Sequence, residues 1–238
     1  MFNKIQEINI DKPDTWSNKI FITIDVDWAP DFMIFYTYNL LKKLNIKATW
    51  FITHKTKLLD LIRKDPSFEL GIHPNFNKIL FEENIDSAQN IVKELKSIVP
   101  DARSVRSHSM TQSSKLSELF LSNDLIYECN TFIPIESKIT LSPWINWDGI
   151  NKIPYFWEDD IFCILHKLKK HSSFTEIQNC AGLKVFNFHP VHLYLNTIDL
   201  NLYIDNKEKI HFEEKAFKII NKNFGVKNYL LEIVDAFQ

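Results

Sequence analysis

Short apolar runs alternate with amphipathic segments along most of this chain, and no other feature restricts its possible folds as strongly. The runs with the length and composition of strands begin at Lys19, Lys47, Phe68, Arg103, Leu125, Lys152 and Leu183. Parallel strands need long crossover connections, so this alternation predicts βαβ units and a parallel sheet. About seven strands in a chain of 238 residues favour an α/β fold built as a distorted (β/α) barrel, closed or nearly closed.

Segments with helical periodicity separate or follow these strands. They cover residues 31–44, 57–64, 85–99, 113–122, 159–169, 207–223 and 226–237. With 45% hydrophobic residues, the chain can bury one sizeable core, and it contains no internal repeat or linker. We therefore expect a single domain over residues 1–238, with its core at about 19–196 and extra C-terminal helices at about 207–237.

Composition and charge argue against several classes of function. The formal net charge of −2 gives no basis for binding nucleic acid, and neither glycine-rich phosphate motif, GxGxxG or GxxxxGK[ST], occurs. The cysteines Cys129, Cys163 and Cys180 are odd in number and widely spaced, which is typical of reduced thiols. Without an apolar signal sequence or a run of about 20 apolar residues, we expect a cytoplasmic protein with no membrane span. No pattern indicates an oligomeric state.

Groups that bind metal or move protons follow the ends of most predicted strands. In chain order they are Asp25 and Asp27, His54, His73, Arg106 and His108, then Glu158, Asp159 and Asp160, and finally His189. The carboxyl ends of the strands of a parallel barrel meet on one face, where active sites are built. These side chains are therefore expected to converge.

Asp25 and Asp27 form a D-x-D pair at the end of an apolar strand. Alternate side chains of a strand share a face, and two like charges there cost stability unless a cation, a metal or a proton lies between them. This arrangement suits a metal ligand beside a general base. The alternatives are a solvated strand end, a helix cap, or the manganese–nucleotide motif of a glycosyltransferase.

Histidine and arginine at other strand ends provide possible partners for this pair. His73 precedes Pro74, which fixes the backbone after the imidazole, and it is a candidate metal ligand. Arg106 can orient Asp25 through charge-assisted hydrogen bonds, and His108 shares its face. His189 is a candidate general acid, with a core imidazole bonded to backbone as the alternative.

The stretch "IPYFWEDD" places aromatic rings beside carboxylates. This combination suits a sugar, which has apolar faces and hydroxyl edges, although core packing followed by an acidic helix start is equally consistent. We expect Tyr155 and Trp157 to bind substrate, together with Asn75 and His54.

Taken in order, these motifs resemble the polysaccharide deacetylase (NodB-homology) superfamily, grouped with carbohydrate esterase family four, over residues 19–196. The similar stretches are "TIDVD", "ATWF", "LGIHPNF", "VRSHS" and "FHP". The combination is most similar to a deacetylase-like subgroup encoded among bacterial O-antigen or surface-polysaccharide genes.

The resemblance implies a metal-dependent hydrolase, usually with zinc, that removes N- or O-acetyl groups from a sugar or a surface-polysaccharide precursor. It implies that Asp25 is the base, that Asp27 and His73 bind the metal, that Arg106 steadies the base and that His189 is the acid.

One position departs from the family pattern. The second metal histidine should follow His73 by four residues, but Asn77 stands there. His108 is the expected substitute ligand, with His54 the next choice. The alternatives are a catalytically impaired barrel that binds glycans, motivated by Asn77, and the glycosyltransferase.

Overall fold

A computed structural model describes residues 1–79, 85–167, 179 and 181–237 of the chain. Within them, the strands are β1 (Phe2–Asn3), β2 (Ile20–Asp25), β3 (Ala48–Ile52), β4 (Phe68–Ile72), β5 (Ser104–Val105), β6 (Tyr127–Glu128), β7 (Trp144–Ile145), β8 (Asn151–Lys152), β9 (Trp157–Glu158) and β10 (Lys184–Phe188). The α-helices are α1 (Asp31–Lys43), α2 (Leu59–Lys64), α3 (Ile85–Ile98), α4 (Ser114–Leu121), α5 (Asp159–Lys167), α6 (Pro190–Leu195), α7 (Leu200–Ile204), α8 (Glu213–Phe217) and α9 (Val226–Phe237).

These strands form one curled, mostly parallel sheet. Its order is β7-β8-β6-β5-β4-β3-β2-β10-β9, with β1 paired to β2 off this path, and only the β7–β8 pair is antiparallel. Residues 151–158 begin with β8, which pairs with β6, and end with β9, which pairs with β10. This single stretch of chain connects the two sides of the sheet, which confirms the predicted distorted (β/α) barrel.

The central strands are buried along their whole length. Every residue of β2, β3, β4 and β10 is buried, as expected for parallel strands covered on both faces. Helix α1 covers the outside of the sheet through Met33, Ile34 and Leu41. Polar side chains of the candidate site lie at or directly after the ends of these buried strands, among them Asp25, His73 and His189.

Local signals explain most helix boundaries. Helix α4 begins after Ser113, whose hydroxyl accepts a hydrogen bond from the backbone N–H of Leu116, the capping interaction expected of serine. The predicted helix at 159–169 is seen as α5, and its last two residues lie outside the described residues. Helices α6 and α7 were not predicted, although Pro190 at the first position of α6 is a known start signal.

The predicted helix at 207–223 is wrong, since only α8 is helical there. Asparagine side chains hydrogen-bond the backbone in place of a continuing helix. The Asn206 amide donates to the carbonyl of Leu202, and the Asn221 amide donates to the carbonyl of Asn196. Such local and tertiary bonds compete with helix formation.

No helix among the described residues is both long enough and apolar enough to cross a membrane. Cys129 and Cys163 are free and buried, whereas Cys180 lies outside the described residues.

Candidate active site

A left-handed turn after β2 positions the second acid of the D-x-D pair. Strand β2 ends at Asp25, and Asp27 and Trp28 have φ angles of 44° and 55°. Aspartate tolerates this region better than most residues, whereas tryptophan adopts it at a cost. The turn is held by the hydrogen bond from the Trp28 N–H to Thr53 Oγ1, at 3.1 Å. Asp27 therefore faces the site because of this turn, and not because of strand alternation.

Imidazoles that directly follow β4 and β10, and one from the loop after β5, converge on Asp27. His73 Nε2 lies 3.0 Å and His108 Nδ1 lies 3.2 Å from Asp27 Oδ1. His189 Nε2 lies 3.5 Å from Oδ2 of the same carboxylate. Burial by itself would raise the pKa of Asp27, but the hydrogen bonds from His108 and His73 and the charge of His189 hold it far below 3.8.

The residues around Asp27 fit a divalent metal ion. One ligand atom each from Asp27, His73 and His108 lie within 4.8 Å of one another, and two imidazoles with one carboxylate form a donor set typical of catalytic zinc. The buried Nδ1 of His73 has no hydrogen-bond partner and lies 4.0 Å from Asp25 Oδ1. Metal-ligating imidazoles usually present their second nitrogen to such a carboxylate.

The structure places His108, and not Asn77, beside Asp27. The amide of Asn77 donates to Ser109 Oγ at 3.1 Å. The backbone N–H of His108 donates to the carbonyl of Pro74 at 2.9 Å, which brings this loop next to His73.

Asp25 is held by two donors inside the barrel. Arg106 Nη1 donates to its Oδ1 at 3.0 Å, and the amide of Asn187 donates to its Oδ2 at 2.9 Å. Asn187 Oδ1 in turn accepts from Arg106 Nη1 and, at 2.8 Å, from the hydroxyl of Thr23. The carboxylate is 3% exposed, so these bonds compensate a charge that water cannot reach.

Arg106 is itself fixed on several sides. Its Nε donates to the carbonyl of Cys129 at 2.9 Å, and its guanidinium lies over the rings of Phe51 and Tyr155, 4.7 and 4.4 Å from their centroids. Tyr155, a predicted substrate residue, is 1% exposed and donates its hydroxyl to Glu158. Tyr155 thus contacts Arg106 and Glu158, and its role in binding substrate stays a prediction.

His189 is held by the first acid of helix α5. Asp159 Oδ2 accepts from the backbone N–H of His189 at 2.7 Å, and Asp159 Oδ1 lies 2.6 Å from His189 Nδ1. Burial opposes protonation of the imidazole, but the charges of Asp159 and Asp160 and the hydrogen bond from Asp159 raise the pKa of His189 well above 6.5. This environment favours the protonated imidazole, and its Nε2 lies 3.5 Å from Asp27 Oδ2.

Two further acids border the cluster. Burial, with the nearby charge of Asp25, raises the pKa of Glu158 to about 7, even though His189 opposes this shift. Asp160 Oδ1 lies 2.6 Å from Nε2 of His192. Burial would raise the pKa of Asp160, but the charges of His189 and His192 lower it to about 2.

The other predicted substrate residues lie outside this cluster of contacts. His54 Nδ1 lies 2.8 Å from the hydroxyl of Thr53, and Asn75 Oδ1 accepts from the backbone N–H of Asn77. Trp157 is 7% exposed and stacks on Tyr229, with 5.1 Å between ring centroids. Its role in binding a sugar stays a prediction.

The sequence interpretation missed Asn187 and gave Asp159 no partner. Asn187 lies two residues before His189, so strand alternation could have placed both on one face. Nothing in the sequence indicated that Asp159 would pair with His189, because the two residues lie on different elements, 30 positions apart.

Comparisons with known proteins agree with this architecture. A family model described as WbmS-like polysaccharide deacetylase matches residues 22–207. One similar crystal structure is that of WbmS from Bordetella bronchiseptica, a proposed polysaccharide deacetylase involved in O-antigen biosynthesis. The match covers 100% of this chain and 98% of WbmS, with 36% sequence identity and a TM-score of 0.93. A proposed polysaccharide deacetylase from Mycobacterium smegmatis shares the fold, with 12% identity, a TM-score of 0.56, and coverage of 97% and 93%. No curated protein matches the sequence.

Proposed function

Because the chain belongs to the WbmS-like family of polysaccharide deacetylases, we propose that it is a metal-dependent hydrolase that removes an acetyl group from a sugar. The bond cleaved is the amide of an N-acetyl group, with an O-acetyl ester as the other possibility, and the sugar belongs to a surface polysaccharide or its precursor. The observation that carries this proposal is the approach of His73 and His108 to Asp27, next to a second, buried carboxylate, Asp25.

Asp27, His73 and His108 are the residues that would hold the metal, and zinc suits them best. A bound divalent ion would polarise the acyl carbonyl and stabilise negative charge on its oxygen. His108 takes the place that the family gives to a histidine four residues after His73, where this chain has Asn77.

Asp25 acts as the general base in this proposal. Arg106 and Asn187 each occupy one lone pair of its carboxylate, which fixes the plane of the group and leaves a second lone pair on each oxygen. One of these lone pairs takes the proton from the water that attacks the acetyl carbonyl.

His189 acts as the general acid. Asp159 holds its Nδ1, so the proton on Nε2 is the one available to the departing amine. This proton lies on the same side of the cluster as Asp27, with 3.5 Å between Nε2 and Oδ2. The acid directly follows β10 and the base is the last residue of β2, and these two strands are neighbours in the sheet.

The test compares metal content and acetate release in the same preparations. Protein stripped with a chelator is reloaded with zinc and assayed on a panel of N-acetylated and O-acetylated sugars, beside Asp25→Asn. We expect zinc-dependent acetate release from the wild type only, with one zinc bound to both proteins. Full activity of Asp25→Asn, or failure of the wild type to bind zinc, would overturn the proposal.

The same experiment separates two other candidates. Glycan binding without acetate release would favour the catalytically impaired barrel, which the Asn77 departure motivates. Manganese-dependent release of a nucleotide from a nucleoside diphosphate sugar would favour a glycosyltransferase.

A further inference from the structure

A cleft of about 460 Å³ adjoins the reactive cluster. Asp27, Trp28 and His189 line one part of it, and Tyr203, Lys207 and His211 line another. This volume lies within the range of pockets that hold drug-sized ligands, so the cleft has room for more than the acetyl group. Trp28 is 45% exposed and offers a ring face or edge to a ligand in this cleft.

The acids that line this cleft are already paired. Asp27 lies within 3.5 Å of three imidazoles, those of His73, His108 and His189. Asp160 lies 2.6 Å from the imidazole of His192. These carboxylates are thus already engaged by imidazoles, and a bound metal ion would add positive charge.

The wall formed by residues 199–215 contributes bases and no acids. This stretch contains Asp199, Asp205, Lys207, Glu208, Lys209, His211, Glu213, Glu214 and Lys215, of which only Lys207 and His211 line the cleft. Among the described residues, Lys207 has no salt bridge, and its Nζ lies 5.5 Å from the ring centroid of Tyr203. The unpaired charge that faces the cleft is therefore positive.

Tyr203 connects this basic wall to the reactive cluster. Its ring lies 5.5 Å from that of His192, and burial together with the charges of Asp27 and Asp160 raises the pKa of its hydroxyl. A ligand that placed its acetyl group at Asp27 would extend past Tyr203 before it reached Lys207.

We propose that the cleft binds an acetylated sugar that carries a negatively charged group, and that Lys207, with His211 beside it, holds this group. The inference rests on the proposed function, because that function places the acetyl group at Asp27. Lysine binds phosphate and carboxylate alike as a point charge. The charged group is therefore either a phosphoryl substituent, as in a nucleoside diphosphate sugar, or the carboxylate of a uronic acid.

Binding measurements on the zinc-loaded protein test this inference. The charged probes are UDP-N-acetylglucosamine, N-acetylglucosamine 1-phosphate and the methyl glycoside of N-acetylglucosaminuronic acid, with its carboxylate free. The neutral probe is the methyl glycoside of N-acetylglucosamine. Calorimetry gives the affinity of the wild type and of three variants, Lys207→Gln, Lys207→Glu and Lys209→Glu. Lys209 is the matched control, because it lies outside the cleft lining and its Nζ donates to Asn206.

We expect at least one class of charged probe to bind about tenfold or more tightly than the neutral glycoside, with a preference that decreases as salt is added. Lys207→Glu should abolish this preference, Lys207→Gln should reduce it, and Lys209→Glu should leave it unchanged. Tighter binding of the phosphorylated probes identifies a phosphoryl group as the ligand, and tighter binding of the uronate identifies a carboxylate. Equal affinity for charged and neutral probes, no binding of any probe, or an equal effect of both glutamate variants would overturn the inference.

Acetate release from the same probes separates this inference from the proposed function. If the wild type releases acetate but binds charged and neutral probes equally, only the anionic subsite is refuted. Charge-dependent binding that requires Lys207, without acetate release from any probe or from the sugar panel, refutes only the deacetylase.

Discussion

Exchanging the acid and the amide of the Asp25–Asn187 pair separates catalysis from structure at this site. Both oxygens of Asp25 accept a hydrogen bond, one from Arg106 and one from the amide of Asn187. Asp25→Asn replaces one of these acceptors by an N–H donor. If the oxygen of the amide at position 25 faces Arg106, its N–H group faces the N–H group of Asn187, and two donors oppose each other. If Asn187 rotates instead, its own N–H groups face Arg106 and Thr23, which both donate to it now.

The single variant therefore loses stability as well as activity. Arg106 is 1% exposed and would lose its carboxylate partner, and breaking a buried ion pair from one side costs about 3–5 kcal/mol. Removing a general base lowers kcat by roughly 10²- to 10⁴-fold, or about 3–5 kcal/mol in the activation free energy.

Asn187→Asp, added to Asp25→Asn, should restore the stability but not the activity. The new carboxylate accepts from Arg106 and Thr23 where the Asn187 oxygen accepts now, and the residue 25 amide donates to it across the existing 2.9 Å contact. The double variant should regain most of the lost stability, because the new carboxylate restores the ion pair with Arg106, while the 3.5 Å bond that the Asn187 amide donates to Glu158 is lost. Its kcat should remain as low as that of the single variant, because the base has moved.

Urea denaturation followed by tryptophan fluorescence, with kcat measured on the same samples, provides the assay. Recovery of kcat in the double variant would refute the role of Asp25 as the positioned base. A single variant as stable as the wild type would refute the hydrogen-bond reasoning, whatever its activity.

Three further predictions concern the metal, the proton donor and a buried acid. Asp27→Asn and His73→Ala should each lose bound zinc, with affinity lower by at least about 10-fold in a chelator competition. In an activity that needs protonated His189, kcat falls as pH rises through the pKa of this imidazole. Asp159→Asn removes the charge and hydrogen bond that raise this pKa, so it should shift the alkaline limb of the kcat–pH profile to lower pH. The pKa of Glu158 is about 7 in the folded protein and 4.5 in the unfolded chain. The free energy of unfolding therefore falls as the pH rises between these two values. Glu158→Gln should remove this loss, which amounts to about 3 kcal/mol above pH 7, in urea titrations of metal-free protein.

Each of these predictions has a control. Asn77→Ala should keep its zinc, because the Asn77 amide bonds to Ser109 and not to the cluster. An unchanged alkaline limb in Asp159→Asn would mean that another group supplies the proton. A Glu158→Gln variant whose stability follows that of the wild type at every pH would show that Glu158 titrates normally in the folded chain.

The sequence predicted the fold because the barrel depends on patterns that are local in the chain. Strands β2, β3, β4 and β10 are apolar throughout and separated by segments long enough to cross over, and parallel barrels are built from such units. The helix predicted at 207–223 failed for the complementary reason. Asn221 bonds to Asn196, a contact across 25 residues that no helical periodicity reveals.

The order of polar groups at strand ends determined, from the sequence alone, that acids, imidazoles and an arginine would gather on one face, because the carboxyl ends of parallel strands meet there. Only the tertiary structure decided which atoms meet. The contact of His108 with Asp27 joins side chains 81 residues apart, and the second donor to Asp25, the amide of Asn187, lies 162 residues away in the chain. The left-handed backbone at Asp27 departs from the strand alternation that the sequence predicted. Hydrogen-bond distances of about 3 Å depend on how whole strands and loops pack, and a local pattern carries no information on that scale.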